Sequence, residues 1–295
     1  MRERELLQHI AHRSADLTHA CPHVLVGPGD DAAVLAPHPD PLVVTIDHTV
    51  QHRHYDDHLP LELVARKAIV RSVSDIAAMA ATPAWALATA LLPAGYPHAD
   101  ELFDHMARWA RHFQCPLVGG DIASLPSDMP GPIVLTVTVA GHARNPILRS
   151  TAREGDFAYV TNALGGSLTN QRHARANPRI EEAKQLAGRI HAMIDLSDGL
   201  GVDAARVAHA SKVRIELDAN AIPIHTDAKG LHAALADGED YELFFTAPPN
   251  ANMPSQINGT PITRVGRVVA GAPAAIVILP DGSTLDASDQ GFEHG

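Results

Sequence analysis

LELVARKAIVRSVSDIAAMAATPAWALATALL, residues 61–92, is a helical pattern that turns into a strand. Leu63, Val64, Lys67, Ala68, Arg71, Ser72, Asp75 and Ile76 recur at helical spacing, which predicts a helix over 61–81 that Pro83 ends. The apolar stretch from Ile76 to Leu92 is Ala-rich, broken by Thr82-Pro83 and slightly short for a membrane span, so it reads as a buried helix running into a strand. A long buried helix feeding directly into a strand is an α/β or α+β signature.

Working outward, LVVTID (42–47) is a β-branched strand expected to stop at its carboxylate, and GPGDD (27–31) is a turn before it. Leu6, Leu7, Ile10 and Ala11 predict a peripheral amphipathic helix near the N-terminus. On the other side, Leu102, Phe103, Met106, Trp109, Ala110 and Phe113 give an amphipathic helix over 98–113, its apolar face read as core. A short strand ending in GGD (119–121), a Pro-rich loop (125–132) and the strand IVLTVTVAG (133–141) follow. The polar run HARNPILRSTAREGD (142–156) then marks a boundary before the fresh strand FAYVTNAL (157–164). Beyond it, AMIDLSDGL, VRIELDA, YELFFTAP and AAIVILP read as strands, with helices around 180–190 and 203–211. The expected organisation is therefore two α/β (α+β) domains, residues 1–144 and 145–295.

Composition narrows the function classes. With 295 residues, 45% of them apolar, the chain has enough material for two cores. A net charge of −11 disfavours non-specific binding to nucleic acid or to an anionic membrane surface, since both need a basic footprint. The only two cysteines, Cys21 and Cys115, lie in no ligand-like spacing, which argues against a disulfide framework or a structural zinc site. The N-terminus carries no uninterrupted apolar core of the signal-peptide kind, so a reducing, cytoplasmic location is expected.

The chemistry lies in the aspartates. Asp47, Asp75, Asp121 and Asp195 each follow an apolar run, while Asp30, Asp31 and Asp198 sit in glycine-bearing turns. One such residue is an ordinary cap or turn residue. Several carboxylates brought to one mouth repel one another and need divalent cations to relieve them. Hard oxygen donors without cysteine favour magnesium, and carboxylates with magnesium commonly handle phosphate. Neither a GxxxxGK[ST] loop nor the protein-kinase HRD and DFG pair occurs, so a nucleotide would need another kind of site.

GPGDDAAVL (27–35), TIDHTVQHRHY (45–55), RKAIVRSVSDIAAMAATPAW (66–85), GGD (119–121), LRS with REGD (148–156), MIDLSDGL (193–200) and DGEDYELFF (237–245) follow in the order seen in the thiamine-monophosphate kinases. The chain resembles that family, part of the ATP-binding superfamily of aminoimidazole ribonucleotide synthetase, over nearly its whole length. The resemblance implies a two-domain fold of that kind: an N-terminal mixed-sheet domain that pairs in a homodimer, and a C-terminal α/β domain that completes the active site. It implies ATP-dependent phosphorylation of thiamine monophosphate to thiamine diphosphate. By motif, Asp31, Asp47, Asp75, Asp121, Asp195 and Asp198 correspond to magnesium ligands, with Thr45 and the Ile46 backbone also approaching metal. Gly120, Asp121, Arg149 and Ser197 correspond to ATP contacts, and His54, Glu239 and Phe292 to contacts with the thiamine end. No side chain is assigned as nucleophile or general base, because the acceptor phosphate is itself largely ionised at neutral pH.

The sequence departs from the family at Arg66, at the run RSVSD and at Ala80, and it passes from LGGSL (164–168) to RHARANPRI where an additional helical segment is usual. Arg66 and Arg71 read as a solvated helix face, and of the four histidines 48, 52, 54 and 58 only His54 is retained as a site residue. Two other readings stay open: a different ATP-using enzyme of the superfamily, and a nucleotide-binding paralogue without catalysis.

Overall fold

The computed structural model describes residues 3–29 and 32–292, so the Asp31 assignment lies outside the described residues. The chain divides into two compact units. The first holds residues up to Ile76 together with Thr82–Arg144, and the second holds Ala77–Ala81 and everything from Asn145.

In the first unit the order is α1 (Glu3–Arg13), α2 (Leu17–Ala20), β1 (Val24–Val26), β2 (Val34–Leu35), β3 (Leu42–Val50), α3 (Leu61–Ala78), β4 (Thr82–Leu92), α4 (Ala99–His112), β5 (Leu117–Ser124) and β6 (Val134–His142). Four strands form a mixed sheet in the order β3-β6-β4-β5, with β4 and β5 parallel and the other neighbours antiparallel. Its inner face carries Leu135, Val137 and Val139 of β6, all fully buried, and α3 meets that strand where Ser72 Oγ donates to Val137 O at 2.8 Å; Ala65, Ile69, Val73 and Ile76 of α3 are fully buried. The outer face of β3 presents Leu42, Val44 and Ile46 at 54, 53 and 62% exposure. The alternation along β3 explains this split, since successive side chains point to opposite faces.

The second unit runs β7 (Phe157–Thr161), a 3₁₀ turn (Thr169–Gln171), α5 (Arg172–Arg175), α6 (Ile180–Leu186), β8 (Ala192–Leu196), α7 (Leu200–Ser211), β9 (Arg214–Asp218), α8 (Leu231–Ala236), β10 (Glu242–Ala247), β11 (Gln256–Ile257), β12 (Thr260–Val269), β13 (Ala274–Ile278) and β14 (Thr284–Asp286). The sheet order is β14-β13-β9-β12-β7-β10-β8, with β11 on β12. Ile194 and Leu196 of β8 join a core with Leu200, Ala204, Val207 and Ala208 of α7. The alternate residue Met193 joins a second core on the opposite face with Leu243, Phe245, Ala183 and Leu186. Ala78 belongs to that second core and Ile147 N–H donates to Met79 O, which is why the end of α3 counts with this unit rather than with the first.

Two expectations need correction. The aspartates do not end their elements: Asp47 lies inside β3, Asp75 inside α3, Asp121 inside β5 and Asp195 inside β8. Hydroxyl and guanidinium neighbours let a carboxylate sit within an element instead of capping it, as described below. The second error is an omission, because β12, the ten-residue strand between β7 and β9, carries Arg264, Gly266 and Arg267 and lacks a clean alternation. A bulge between Arg264 and Gly266 shifts its register, so the period-two signal breaks midway. No described helix is long and apolar enough to cross a membrane.

Candidate active site

In the first unit, β3 and α3 bring three of the assigned residues together. Thr45 and Asp47 alternate onto the sheet face that α3 covers. Thr45 Oγ1 donates to Asp75 Oδ2 at 2.5 Å. Ser72, one helical turn before Asp75, is fully buried and its Oγ lies 2.8 Å from Val137 O and 3.1 Å from Asp47 Oδ2. Arg71 Nη2 stands 3.8 Å from Asp47 Oδ1. The spacing Arg71, Ser72, Asp75 on one helix face is what delivers these groups to one strand. Arg71 thus faces Asp47 instead of water, and Arg66 is buried with its guanidinium 4.9 Å from the Trp109 ring and 5.5 Å from Phe113. The solvated-face expectation for both arginines is overturned, because a long cationic side chain finds aromatic or carboxylate partners between packed helices.

Strand register places the remaining assignments of this unit. Asp47, Val137, Ala88 and Gly120 lie in one row across the sheet. A Cβ on Gly120 would fall 1.9 Å from Ala88 O, so only glycine fits between these two strands. Asp121 lies in the adjacent row with His48, Thr136 and Thr89, and therefore on the opposite face from Asp47. The exposed side chain of Ile46 shares that outer face, which leaves its backbone as its contribution to the inner arrangement. His54 closes the turn after β3, with Val50 N–H donating to its Nδ1 at 2.9 Å, so the proton sits on Nε2.

In the second unit, Asp195 is buried on β8, opposite Leu243 of β10. The loop after it, Ser197-Asp198-Gly199, is held by a residue the sequence reading passed over. Asp203 Oδ2 accepts from the N–H groups of Ser197, Asp198 and Gly199 at 3.1, 3.0 and 3.2 Å. Those three amides are spent inside the protein, so any nucleotide contact of the loop falls to side chains such as the Ser197 hydroxyl. Arg206 Nη1 bridges Asp198 Oδ2 at 2.5 Å and Asp203 Oδ1 at 2.6 Å. Burial pushes the Asp203 carboxyl up to about 7, against the pull of Arg206 and the backbone N–H donors. An Asp in the first turn of a predicted helix was the available signal for this role.

The DGEDY segment docks on the same loop. Glu239 N–H donates to Ser197 O at 2.7 Å and Tyr241 N–H to Leu196 O at 2.9 Å. Gly238, Glu239 and Tyr241 all have positive φ (67, 54 and 52°), a costly conformation for the latter two that the surrounding bonds maintain. Asp240 is buried, accepts from Gly165 N–H at 3.0 Å and pairs with Arg172 at 2.6 Å. Burial raises its carboxyl to about 6, against the Gly165 N–H bond and Arg172. Asp237 accepts from Gly166 N–H at 2.8 Å. Phe292 N–H donates to Asp198 O at 3.0 Å, which brings the end of the described chain to the loop. Arg149 is exposed, its carbonyl taken by the Ser211 hydroxyl at 2.9 Å.

The donor atoms of Thr45, Asp47 and Asp75, and of Asp195 and Asp198, are all oxygens, which suits a hard cation. Among the described residues no three His, Cys, Asp or Glu side chains are gathered tightly enough to hold a metal on their own. A groove of about 640 Å³ is lined by His12, Arg13, Asp16, Asp104, Arg108 and Arg111, and by none of the residues just named. Its arginines are already paired, Arg13 with Asp104, Arg111 with Asp16 and Arg108 with Glu62, so it is not taken as the reactive site.

Residues 29–143 match the family model of AIR synthase related protein, N-terminal domain, and residues 150–278 match that of the C-terminal domain. The two units thus carry the paired domains that define this class of ATP-binding protein. The chain is 35% identical to the thiamine-monophosphate kinase of Rhodopirellula baltica, over 99% of this chain and 97% of that protein. The crystal structure of thiamine-monophosphate kinase from Stenotrophomonas maltophilia K279a superposes with a TM-score of 0.80 at 28% identity, covering 93% of this chain and 96% of that one. A structure of AaThiL complexed with AMPPCP and TMP gives 0.76 at 27% identity, covering 100 and 99%. The chain belongs to the AIR synthase-related family and, within it, to the thiamine-monophosphate kinases.

Proposed function

We propose that this protein transfers the γ-phosphate of ATP to thiamine monophosphate, giving thiamine diphosphate. The observation that carries the reading is the end-to-end match to a thiamine-monophosphate kinase, with every quoted motif present in order. The AMPPCP and TMP complex of a relative spanning the same length supports ATP and thiamine monophosphate as the two substrates.

Magnesium, when bound, neutralises the phosphate oxygens and helps hold donor and acceptor in line. Asp31, Asp47, Asp75, Asp195 and Asp198 are its assigned ligands, with Thr45 and the Ile46 backbone close by; Asp121, assigned with them by motif, leaves its sheet on the face opposite Asp47 and would serve a separate ion. Thr45 holds one oxygen of Asp75, and Ser72 with Arg71 holds Asp47, so the two carboxylates are oriented before substrate arrives. Gly120, Asp121, Arg149 and Ser197 take the nucleotide, while His54, Glu239 and Phe292 take the thiamine end. The acceptor phosphate, second pKa near about 6, needs no general base. Leu42, Val44 and Ile46 form an apolar stripe on the outer face of an edge strand, a surface that pairing of two copies would cover, and we assign it to a homodimer contact. The location is cytoplasmic.

Incubation with ATP, magnesium and thiamine monophosphate, followed by chromatography for thiamine diphosphate, tests the reading. Product should depend on magnesium, and Asp75→Asn should lower the rate by about 10²-fold or more, the scale seen when a group stabilising transition-state charge is removed. A folded protein that binds ATP and makes no thiamine diphosphate overturns it.

A further inference from the structure

After Ser167 the chain runs straight into the short segment 169–175, where the family resemblance leads one to expect an additional helical segment. Asn170 and Gln171 both take left-handed backbone (φ 54 and 57°), a conformation that costs a non-glycine residue about 1 kcal/mol or more and turns the chain sharply. The turn sends the next two side chains inward. Arg172 Nη2 donates to Gly165 O at 2.5 Å and to Asp240 Oδ1 at 2.6 Å, so the segment is pinned at its start. His173 is only 6% exposed, and its Nδ1 lies 3.5 Å from Glu239 Oε2. The other oxygen, Glu239 Oε1, faces Tyr241 Oη at 3.4 Å. The two ends of one carboxylate are therefore flanked by an imidazole and a phenol, on a backbone already fixed to Ser197 O.

A glutamate loses about 1.5–2 kcal/mol of rotamer freedom when held in one conformation, so a partner that holds it beforehand spares the ligand that cost. The acceptor named above carries a cationic thiazolium ring, for which a fixed carboxylate is the complementary group. We infer that His173 is a positioning residue for the Glu239 carboxylate, and that the short segment 169–175 sets affinity for the cationic acceptor and leaves affinity for ATP alone. The inference rests on the functional reading above.

Steady-state kinetics with each substrate varied in turn tests it. His173→Ala should raise KM for thiamine monophosphate about fivefold, the upper end for loss of a close imidazole–carboxylate contact, with kcat and KM for ATP changed less than about twofold. His173→Asn, whose side-chain amide mimics the Nδ1 position, should recover most of the loss. In a Glu239→Gln background the same His173→Ala change should have little further effect. A merely structural role would instead move both KM values, or kcat, together and would persist in that background. An unchanged acceptor KM in the folded variant overturns the inference while leaving the kinase reading intact. Absence of thiamine diphosphate from the wild-type protein overturns that reading and this inference with it. Should His173→Ala fail to fold, His173→Leu, of similar bulk and without a polar atom, takes its place in both backgrounds: equal acceptor KM losses in the wild-type and Glu239→Gln backgrounds overturn the inference.

Discussion

Gly119 and Gly120 are adjacent in one motif, yet the sheet makes opposite demands on them. Neither has positive φ, so alanine is permitted by the backbone at both, and what differs is the space each Cβ would enter. At Gly120 the new carbon falls 1.9 Å from Ala88 O, and β4 and β5 would have to part by about 1.5 Å to reach the 3.4 Å of ordinary contact. That movement lengthens one or two ladder hydrogen bonds beyond useful reach, at about 1 kcal/mol each, on top of about 1–3 kcal/mol for the overpacking itself. Removing a glycine from the unfolded chain returns about 0.4–1 kcal/mol. Because β5 is an edge strand and can yield, the low end of the overpacking cost applies, and Gly120→Ala should destabilise the first unit by about 1–2.5 kcal/mol. At Gly119 the nearest atom is the end of the Leu87 side chain at 3.2 Å, which can rotate away, so Gly119→Ala should stay within about 0.5 kcal/mol of wild type. Both tryptophans, Trp85 and Trp109, lie in the first unit, so urea unfolding followed by tryptophan emission reports that unit alone. The Gly120 midpoint should drop by about 0.5–1.2 M and the Gly119 midpoint by less than about 0.3 M, for an m-value of about 2 kcal/mol/M. Equal midpoints would refute the reasoning and leave the second glycine to be explained by the ligand.

Asp240 predicts a pH dependence whose sign follows from the direction of its shift. Its carboxyl rises from 3.8 to about 6 on folding, so the folded state holds a proton that the unfolded state releases between about pH 4 and 6, and stability falls as pH rises through that window. Against Asp240→Asn, which cannot titrate, wild-type stability from urea unfolding should decline by up to about 3 kcal/mol between pH 4 and 7, and a rise would refute the assignment. Arg206 predicts a metal response: Arg206→Met frees Asp198 Oδ2, so the magnesium concentration for half-maximal rate should fall if Asp198 is a ligand. An increase would remove Asp198 from the ligand set.

The longer elements of the first unit were legible because each obeys a single period, whereas α2, β1 and β2 are too short to show one and were not read. Residues 98–113 alternate at helical spacing and form α4 over Ala99–His112, and the strand read at 133–141 is β6. What failed was the position of the aspartates within their elements. A sequence shows that Asp47 follows LVVTI, but not that Ser72 and Arg71, contributed by a helix twenty-five residues on, allow the strand to continue to Val50. The same blindness hid β12, whose arginines look outward-facing at every position until the bulge changes the register. It also cast Arg66 and Arg71 as surface residues, since a charge in a helical pattern carries no sign of the aromatic or carboxylate across the interface.

The aspartates of the second unit then divide by what their oxygens accept. Asp203, Asp237 and Asp240 accept backbone N–H groups, of residues 197–199, Gly166 and Gly165 respectively. A carboxylate so engaged fixes a loop, and its lone pairs are directed at the chain rather than at a ligand. Asp47 and Asp75 meet side-chain hydroxyls instead, and a hydroxyl can keep one oxygen in place while the other turns to a cation. Motif reading ranks Asp198 with the second kind, but Arg206 and the loop geometry bring it close to the first. The two kinds of carboxylate answer to different perturbations: loss of a loop-fixing one lowers stability in proportion to its buried N–H bonds, whereas loss of a hydroxyl-held one alters the magnesium dependence of the rate while the fold persists. Measuring both quantities for the same set of Asp→Asn variants therefore sorts the signature aspartates by role without presupposing which of them touch metal.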